Sequence, residues 1–292
     1  MKEDMRVSMW RVYVATGSVA VAGYFLLPDN WWQTGVGAAI GLAGVAGVLA
    51  GIRLHRPRRA RLWWMLAAGL CCIVVGDLVY ALYERVLDEP APFPSLADAL
   101  YLAGCPLIGL SLVLLVRTRT AGRDRVSWID ATIVASGFGL LSWVFLMAPT
   151  ATSNDLTWAG RLVALAYPTW DVLFLALLVR LLAGLGARIP ALRLLAGACA
   201  LWLIYDTVYA LVMQYGNYDQ GLLMDVPWLL GFILFGASGL HPSMAELTQP
   251  VAQPNTRLTR RRLALLTAAS LVAPVLLLSQ TVLARNRVDG LA

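Results

Sequence analysis

Long apolar segments recur along the whole chain, and they limit its possible folds more than any other feature. Each contains about 18 to 25 residues, enough for one helix to cross roughly 30 Å of hydrocarbon. Hydrophobic residues make up 59% of the sequence and charged residues only 14%, whereas a typical soluble domain has roughly 25% charged residues. The sequence therefore predicts an all-α, polytopic transmembrane helix bundle.

The apolar segments predict about nine spans. They cover approximately residues 9–27, 35–52, 62–83, 96–116, 128–147, 158–182, 191–213, 222–240 and 263–283. Residues 1–240 then form an eight-span core and residues 241–262 a flexible cytoplasmic linker. Residues 263–292 form the ninth span and a tail. Since nine spans would place this basic tail outside, we expect it to be truncated.

The charged residues predict the orientation of the spans. Loops after even-numbered spans are rich in arginine, for example around Arg56, Arg123 and Arg260, whereas loops after odd-numbered spans carry acids such as Asp29 and Asp155. By the positive-inside rule, the N-terminus is cytoplasmic. The net charge of +6 therefore reflects topology and does not indicate a nucleic-acid partner. We expect a multi-pass protein of the bacterial inner membrane, with the lipid bilayer as its first partner.

Cysteine and histidine positions argue against a metal site. All four cysteines lie inside predicted spans, where thiols pack as small residues. The two histidines, His55 and His241, are predicted on the cytoplasmic side, and no zinc spacing, phosphate-binding loop or haem pattern is present. We therefore predict neither a metal nor a cofactor. The second span is rich in glycine, which favours close packing within the chain over the alternative, a homodimer face.

One phrase occurs twice within the apolar segments. Residues 76–82 read GDLVYAL in the third span, and residues 205–211 read YDTVYAL in the seventh. A loop and a second span follow each copy, with Asp98 or Asp225 in the first turn of that span. We therefore predict that the hairpins 62–116 and 191–240 are parallel repeats, with residues 128–182 as a weaker third copy.

The repeated phrase places an acidic side chain within the membrane in each half. Asp77 and Asp206 lie about fifteen residues into their spans, roughly 20 Å from the cytoplasmic end. Tyr80 and Tyr209 follow three residues later and share a helix face with them. Because an ionisable group in the membrane is costly, we predict an outward-opening ligand cavity lined by these four residues. The structural alternative is an interhelical hydrogen bond made by each aspartate.

Further residues border the predicted cavity. Tyr101, Trp228 and Asp171 lie near it in the neighbouring spans. Asp98 forms a capping box with Ser95, so Asp98 and Asp225 are equally well explained as helix caps. No catalytic residue is assigned. The predicted ligand-binding residues are Asp77, Tyr80, Asp98, Tyr101, Asp171, Asp206, Tyr209 and Asp225.

Four short motifs resemble one group of membrane regions. They are GDLVY at 76–80, PSLADALYLAG at 94–104, WIDA at 128–131 and ALAYP at 164–168. Together they resemble the N-terminal multi-span regions of actinobacterial GGDEF and GGDEF–EAL proteins, which make or degrade cyclic di-GMP. The resemblance implies a sensory input role. The GGDEF and EAL motifs themselves are absent from this sequence, so no cyclic di-GMP catalysis is assigned to it.

A fainter similarity leads to an alternative function. YhhN-type membrane proteins, associated with lysoplasmalogenase activity, also have repeated Gly-Asp phrases, although here only Gly76-Asp77 matches. We therefore expect a sensory or ligand-binding module for a small polar or cationic ligand or a proton. The alternatives are an intramembrane lysolipid hydrolase with Asp77 and Asp206 as general acid and base, or a proton- or cation-coupled transporter.

Overall fold

All regular secondary structure is helical in the part of the chain that the computed structural model describes. These residues are 2–87, 91–119, 125–185, 189–215, 224–249, 260, 263–264 and 266–275. The first five helices are α1 (Lys2–Tyr24), α2 (Trp31–His55), α3 (Ala60–Arg85), α4 (Leu96–Arg119) and α5 (Arg125–Ser142). The later helices are α6 (Ala148–Thr152), α7 (Trp158–Leu185), α8 (Pro190–Tyr215), α9 (Asp225–Leu240) and α10 (Leu266–Val275).

Six helical segments among the described residues are long and apolar enough to cross a membrane. They are Trp31–His55, Ala60–Arg85, Leu96–Thr118, Trp128–Thr152, Trp158–Leu182 and Pro190–Tyr215. The predicted helical membrane bundle is thereby confirmed. α9 and α10 are shorter apolar helices, so the count of nine spans stays a prediction. Residues 250–259 of the predicted linker and 276–292 of the predicted tail lie outside the described residues.

The long helices pack in a closed order. α2 packs on α3, α3 on α4, α4 on α7, α7 on α8, α8 on α9, and α9 on α2. α1 packs outside this ring against α2 and α9, and α5 packs outside it against α7. Because the six ring helices close on themselves, side chains from non-adjacent helices can meet in a common interior.

Glycines of α2 allow its backbone to approach α9 closely. A Cβ atom placed on Gly44 would lie 2.7 Å from the carbonyl oxygen of Phe232, and one on Gly47 would lie 2.8 Å from Cα of Gly236. Any larger residue would push the two helices apart. The glycine-rich face therefore packs inside this chain, as the sequence favoured, and the alternative of a homodimer stays a prediction.

The beginning of the predicted linker is folded onto the core. Residues Pro242–Met244 and Glu246–Thr248 form two 3₁₀ turns after α9. Met244 and Leu247 are fully buried in these turns, and the burial of their side chains explains why this stretch does not extend into solvent. His55 donates from Nε2 to the carbonyl oxygen of Leu240 at 3.0 Å, which satisfies one free carbonyl at the end of α9.

The fifth predicted span contains a local change of helix type. Residues Trp143–Met147 form one turn of π-helix between α5 and α6. The carbonyl oxygen of Phe145 in this turn accepts a hydrogen bond of 2.7 Å from the Tyr215 hydroxyl at the end of α8. The π turn therefore exposes a carbonyl that a neighbouring helix satisfies.

α5 also contacts two other helices through glycines. A Cβ atom on Gly139 would lie 3.6 Å from a methyl carbon of Val172 in α7. A Cβ atom on Gly137 would lie 2.7 Å from the carbonyl oxygen of Ala269 in α10. α5 therefore lies between the ring and the last described helix.

Candidate functional site

The predicted site residues gather at one end of the ring. α3 and α8 approach their C-termini there, and α4, α7 and α9 begin there. Asp77 comes from α3, Tyr101 and Asp98 from α4, Asp171 from α7, Asp206 from α8, and Asp225 and Trp228 from α9. Five of the six ring helices thus contribute an acidic side chain to this end of the molecule.

Asp77 accepts hydrogen bonds from two aromatic side chains. The Tyr101 hydroxyl donates to Oδ1 of Asp77 at 2.8 Å, and the indole of Trp228 is a second hydrogen-bond partner. A Cβ atom on Gly76 would lie 2.6 Å from the Tyr101 ring, so glycine is what lets Tyr101 reach this carboxylate. α2 packs against both α3 and α9. Trp228 and Asp77 therefore come from the two helices that flank α2 in the ring.

Asp206 has an acidic partner. Asp171 on α7 is 6% exposed, and its carboxyl group is hydrogen-bonded to that of Asp206 on α8. Two ionised carboxylates repel each other at hydrogen-bonding range, so this contact is favourable when the pair shares a proton or a cation. The side chains of Cys105, Tyr167 and Tyr205 lie within electrostatic range of Asp206. This arrangement makes the Asp171–Asp206 pair suitable for binding a proton or a small cation.

Asp98 and Asp225 have both a helix-end role and a partner on another helix. Oδ2 of Asp98 accepts the backbone N–H of Ser95 at 2.7 Å and its hydroxyl at 3.0 Å, which is the predicted capping box. Oδ1 of Asp98 accepts the Tyr167 hydroxyl at 2.7 Å. Asp225 accepts the Tyr24 hydroxyl at 3.0 Å. The helix-cap interpretation is therefore confirmed for Asp98, and its role in ligand binding stays a prediction.

Tyr205 connects the two acidic groups. Its ring lies 5.0 Å from that of Trp228, which itself stacks on Trp202 at 4.7 Å. Tyr205 lies within electrostatic range of both Asp77 and Asp206. The structure thus places the two repeated aspartates in one polar cluster, but each has its own hydrogen-bond partners. Asp171, and not Asp77, is the carboxyl partner of Asp206.

The repeated tyrosines lie further out. Tyr80 is 41% exposed and Tyr209 is 37% exposed. The Tyr209 ring stacks on Tyr205 with centroids 5.9 Å apart. We expected both tyrosines to line the cavity, and the structure places them at the surface of the cluster.

Sequence reasoning did not single out several residues of this cluster. Tyr24 and Tyr167 donate to acids from the end of α1 and from α7, and Trp202 donates from Nε1 to the carbonyl oxygen of Trp228 at 3.1 Å. The sequence did indicate that these residues are aromatic side chains in apolar segments near the predicted outer boundary of the membrane, and this feature could have identified them as candidates. Nothing in the one-dimensional pattern pairs Tyr24 with Asp225, which is 201 positions away.

Within the described residues, no group of three His, Cys, Asp or Glu side chains could hold a metal ion. His55 and His241 lie at the opposite end of the bundle, beside the end of α9. The comparisons of this chain with protein-family models, curated proteins and solved structures give no match.

Proposed function

We propose that this chain is an integral membrane ligand-binding module that serves as a sensory input. Its ligand is a proton or a small cation, bound at the outer carboxylate and tyrosine cluster. The observation that carries the proposal is the hydrogen-bonded Asp171–Asp206 pair, which favours a shared proton or cation between the neighbouring helices α7 and α8. Binding there changes the energy of the α7–α8 contact, and a signal needs such differential affinity between two conformations.

The proposal includes nine spans with a cytoplasmic N-terminus, and two parallel halves that meet at the cluster. Corresponding contacts support the repeat. Gly104 of α4 packs against Ile73 of α3, and Gly231 of α9 packs against Trp202 of α8. In the repeat alignment, Gly231 corresponds to Gly104 and Trp202 to Ile73. The two hairpins therefore use equivalent positions for helix contact.

The proposal also includes an input role in cyclic di-GMP signalling, at the bacterial inner membrane. It rests on the four motifs that resemble membrane regions of GGDEF proteins. Cellular cyclic di-GMP should change with external pH or cation concentration in cells that carry the gene, and should not change in cells with Asp206→Asn. Equal nucleotide levels in the two strains would remove this part of the proposal.

Ligand binding is tested on the purified full chain in lipid nanodiscs. We expect its thermal unfolding temperature to depend on pH or on the concentration of a small cation, with sodium, potassium and tetramethylammonium ions as the probes. Asp206→Asn should abolish the dependence, because an amide can donate to Asp171 without a proton or cation. Asp155→Asn, an exposed acid in a loop, is the matched control and should behave like the wild type. Identical behaviour of both variants would contradict the proposal.

A proton- or cation-coupled transporter is the second candidate, because the same buried carboxyl pair could carry its coupling ion. It predicts pH-dependent uptake into proteoliposomes that Asp206→Asn abolishes. The lysolipid hydrolase alternative assigned Asp77 and Asp206 as acid and base. These residues have separate partners in the structure, so a hydrolase would have to use Asp171 with Asp206. Turnover of lysolipids in detergent distinguishes it from the other two.

A further inference from the structure

A cavity of about 480 Å³ lies at the end of the bundle opposite the carboxylate cluster. Its volume falls in the range of roughly 300–1,000 Å³ that is typical of small-molecule sites. Two prolines and six other residues surround it. The other six are Trp10, Arg11, Ile189, His241, Ser243 and Glu246. The cavity is therefore formed by α1, the start of α8 and the turns after α9.

The contacts between α1 and α9 fix the depth of this cavity. Tyr24 donates to Asp225 at the outer end, and the rings of Trp10 and His241 are 4.9 Å apart at the other end. Trp10 and Tyr24 are roughly 21 Å apart along the axis of α1, at 1.5 Å per residue. The cavity thus lies where α9 ends. In the orientation that the proposed function includes, this is the level of the cytoplasmic boundary between hydrocarbon and headgroups, which tryptophan and arginine side chains favour.

One wall of the cavity carries hydrogen-bond donors. The Arg11 guanidinium lies 5.6 Å from the centre of the Trp10 ring, in a cation–π contact. Nδ1 of His241 accepts the backbone N–H of Ser243 at 3.1 Å, so the ring proton is on Nε2, which is a donor. Burial, and next the proximity of His55, lower the pKa of His241, while Glu246 acts in the opposite direction.

The floor of the cavity is held in place by Ser243. Its Oγ accepts the backbone N–H of Ala191 in the first turn of α8 at 3.1 Å, and lies 2.9 Å from Nδ1 of His241. α8 and the turns after α9 are therefore joined, and the His241 ring has a fixed orientation. Glu246 adds a carboxylate to the same cavity. The arrangement presents cationic and neutral donors beside one anion.

A ligand that matches both features has a negative group and a primary ammonium close together, at the membrane surface. We propose that the cavity binds the headgroup of a phosphatidylethanolamine from the inner leaflet. Its phosphate accepts hydrogen bonds from Arg11 and from Nε2 of His241, and its ammonium group donates to Glu246. Trp10 and Ile189 provide apolar surface for the glycerol and the first acyl carbons.

Native mass spectrometry of the full chain, with phosphatidylethanolamine or phosphatidylglycerol added to the detergent solution, tests this proposal. We expect the wild type to retain phosphatidylethanolamine preferentially, and Arg11→Gln to lower its affinity roughly tenfold. Arg53→Gln removes the same charge from the cytoplasmic end of α2, outside the cavity, and should bind like the wild type.

The variant Glu246→Gln provides a second, independent test in the same experiment if Arg11→Gln does not fold. It should weaken phosphatidylethanolamine binding and strengthen phosphatidylglycerol binding, because the carboxylate that repels an anionic headgroup has gone. Equal retention of the two lipids by the wild type would overturn the proposal. So would inorganic phosphate that displaces the lipid at a similar concentration, since it would identify a site for free anions. The outer-site variant Asp206→Asn should leave lipid retention unchanged.

Discussion

Asp77 and Asp206 occupy corresponding turns of α3 and α8, but their surroundings differ. The carboxylate of Asp77 accepts hydrogen bonds from a phenol and an indole, which are neutral donors. The carboxyl group of Asp206 is hydrogen-bonded to another acid, Asp171. A carboxylate with neutral donors is satisfied without any ligand, whereas a pair of acids needs a proton or a cation. The comparison teaches that a repeated phrase can keep its aspartate while only one copy acquires an acidic partner.

The largest effect is expected when the Asp171–Asp206 pair is broken, and it concerns the pH dependence of the free energy of unfolding. We predict that the wild type loses stability as pH rises, because the folded pair holds a proton that the separated carboxyl groups of the unfolded chain release. The slope should be about 1.4 kcal/mol per pH unit for one proton. Asp171→Asn should be nearly independent of pH, since its amide donates to Asp206 directly. Unfolding free energies in mixed micelles from roughly pH 5 to pH 9 measure both slopes. Equal slopes would show that the pair holds no proton.

A smaller effect on the free energy of unfolding is expected from substitutions of Asp77, whose hydrogen bonds come from neutral donors. Asp77→Leu leaves the Tyr101 hydroxyl and the Trp228 indole without their acceptor, so we expect a loss of about 1–3 kcal/mol in the free energy of unfolding. Asp77→Asn keeps a carbonyl acceptor and should lose less. Both variants should retain the wild-type pH slope. The same unfolding measurement applies, and a lost slope in Asp77→Asn would mean that the two aspartates titrate as one unit.

The smallest effects come from single phenols. Tyr101→Phe removes one donor from Asp77 and should cost about 0.6 kcal/mol, the average for a hydrogen bond between membrane helices. Tyr167→Phe should cost less than this, because Asp98 keeps its two hydrogen bonds from Ser95. Thermal unfolding temperatures of the two variants, compared with the wild type, give the order. The reverse order would mean that the Tyr167–Asp98 contact between α7 and α4 is the stronger one.

The helical framework was predictable because hydrocarbon length and helix rise leave little choice for an apolar segment. The prediction of a span at 62–83 agrees with α3, and the prediction at 191–213 agrees with α8. The boundaries of α3, α8 and α4 were predicted within a few residues. The π turn at Trp143–Met147 was not predicted, since its carbonyl is satisfied by Tyr215, a contact between distant segments.

The sequence predicted which acidic residues lie at the site, but it did not predict which partner each of them contacts. Every acid that we singled out lies at the same end of the bundle, because depth along each helix follows from residue number. Which acid meets which partner depends on helix rotation and on the order of packing around the ring. The parallel-repeat argument paired Asp206 with Asp77, whereas the α7–α8 contact gives it Asp171. Asp171 lies near the middle of α7, whereas Asp98 and Asp225 lie in the first turn of their helices, and this depth brings Asp171 level with Asp206.

The close packing of Gly137 against Ala269 connects α5 to α10, and through α5 it connects α10 to the helix that carries Asp171. Gly139, two positions along the same helix, touches Val172, the neighbour of Asp171. The substitution Gly137→Ala would place a methyl group against the backbone of Ala269 and push α10 away from α5. It would not alter Asp171 or Asp206. Under the proposed function, Gly137→Ala should bind a proton or cation as the wild type does but should not pass the effect of binding on to α10.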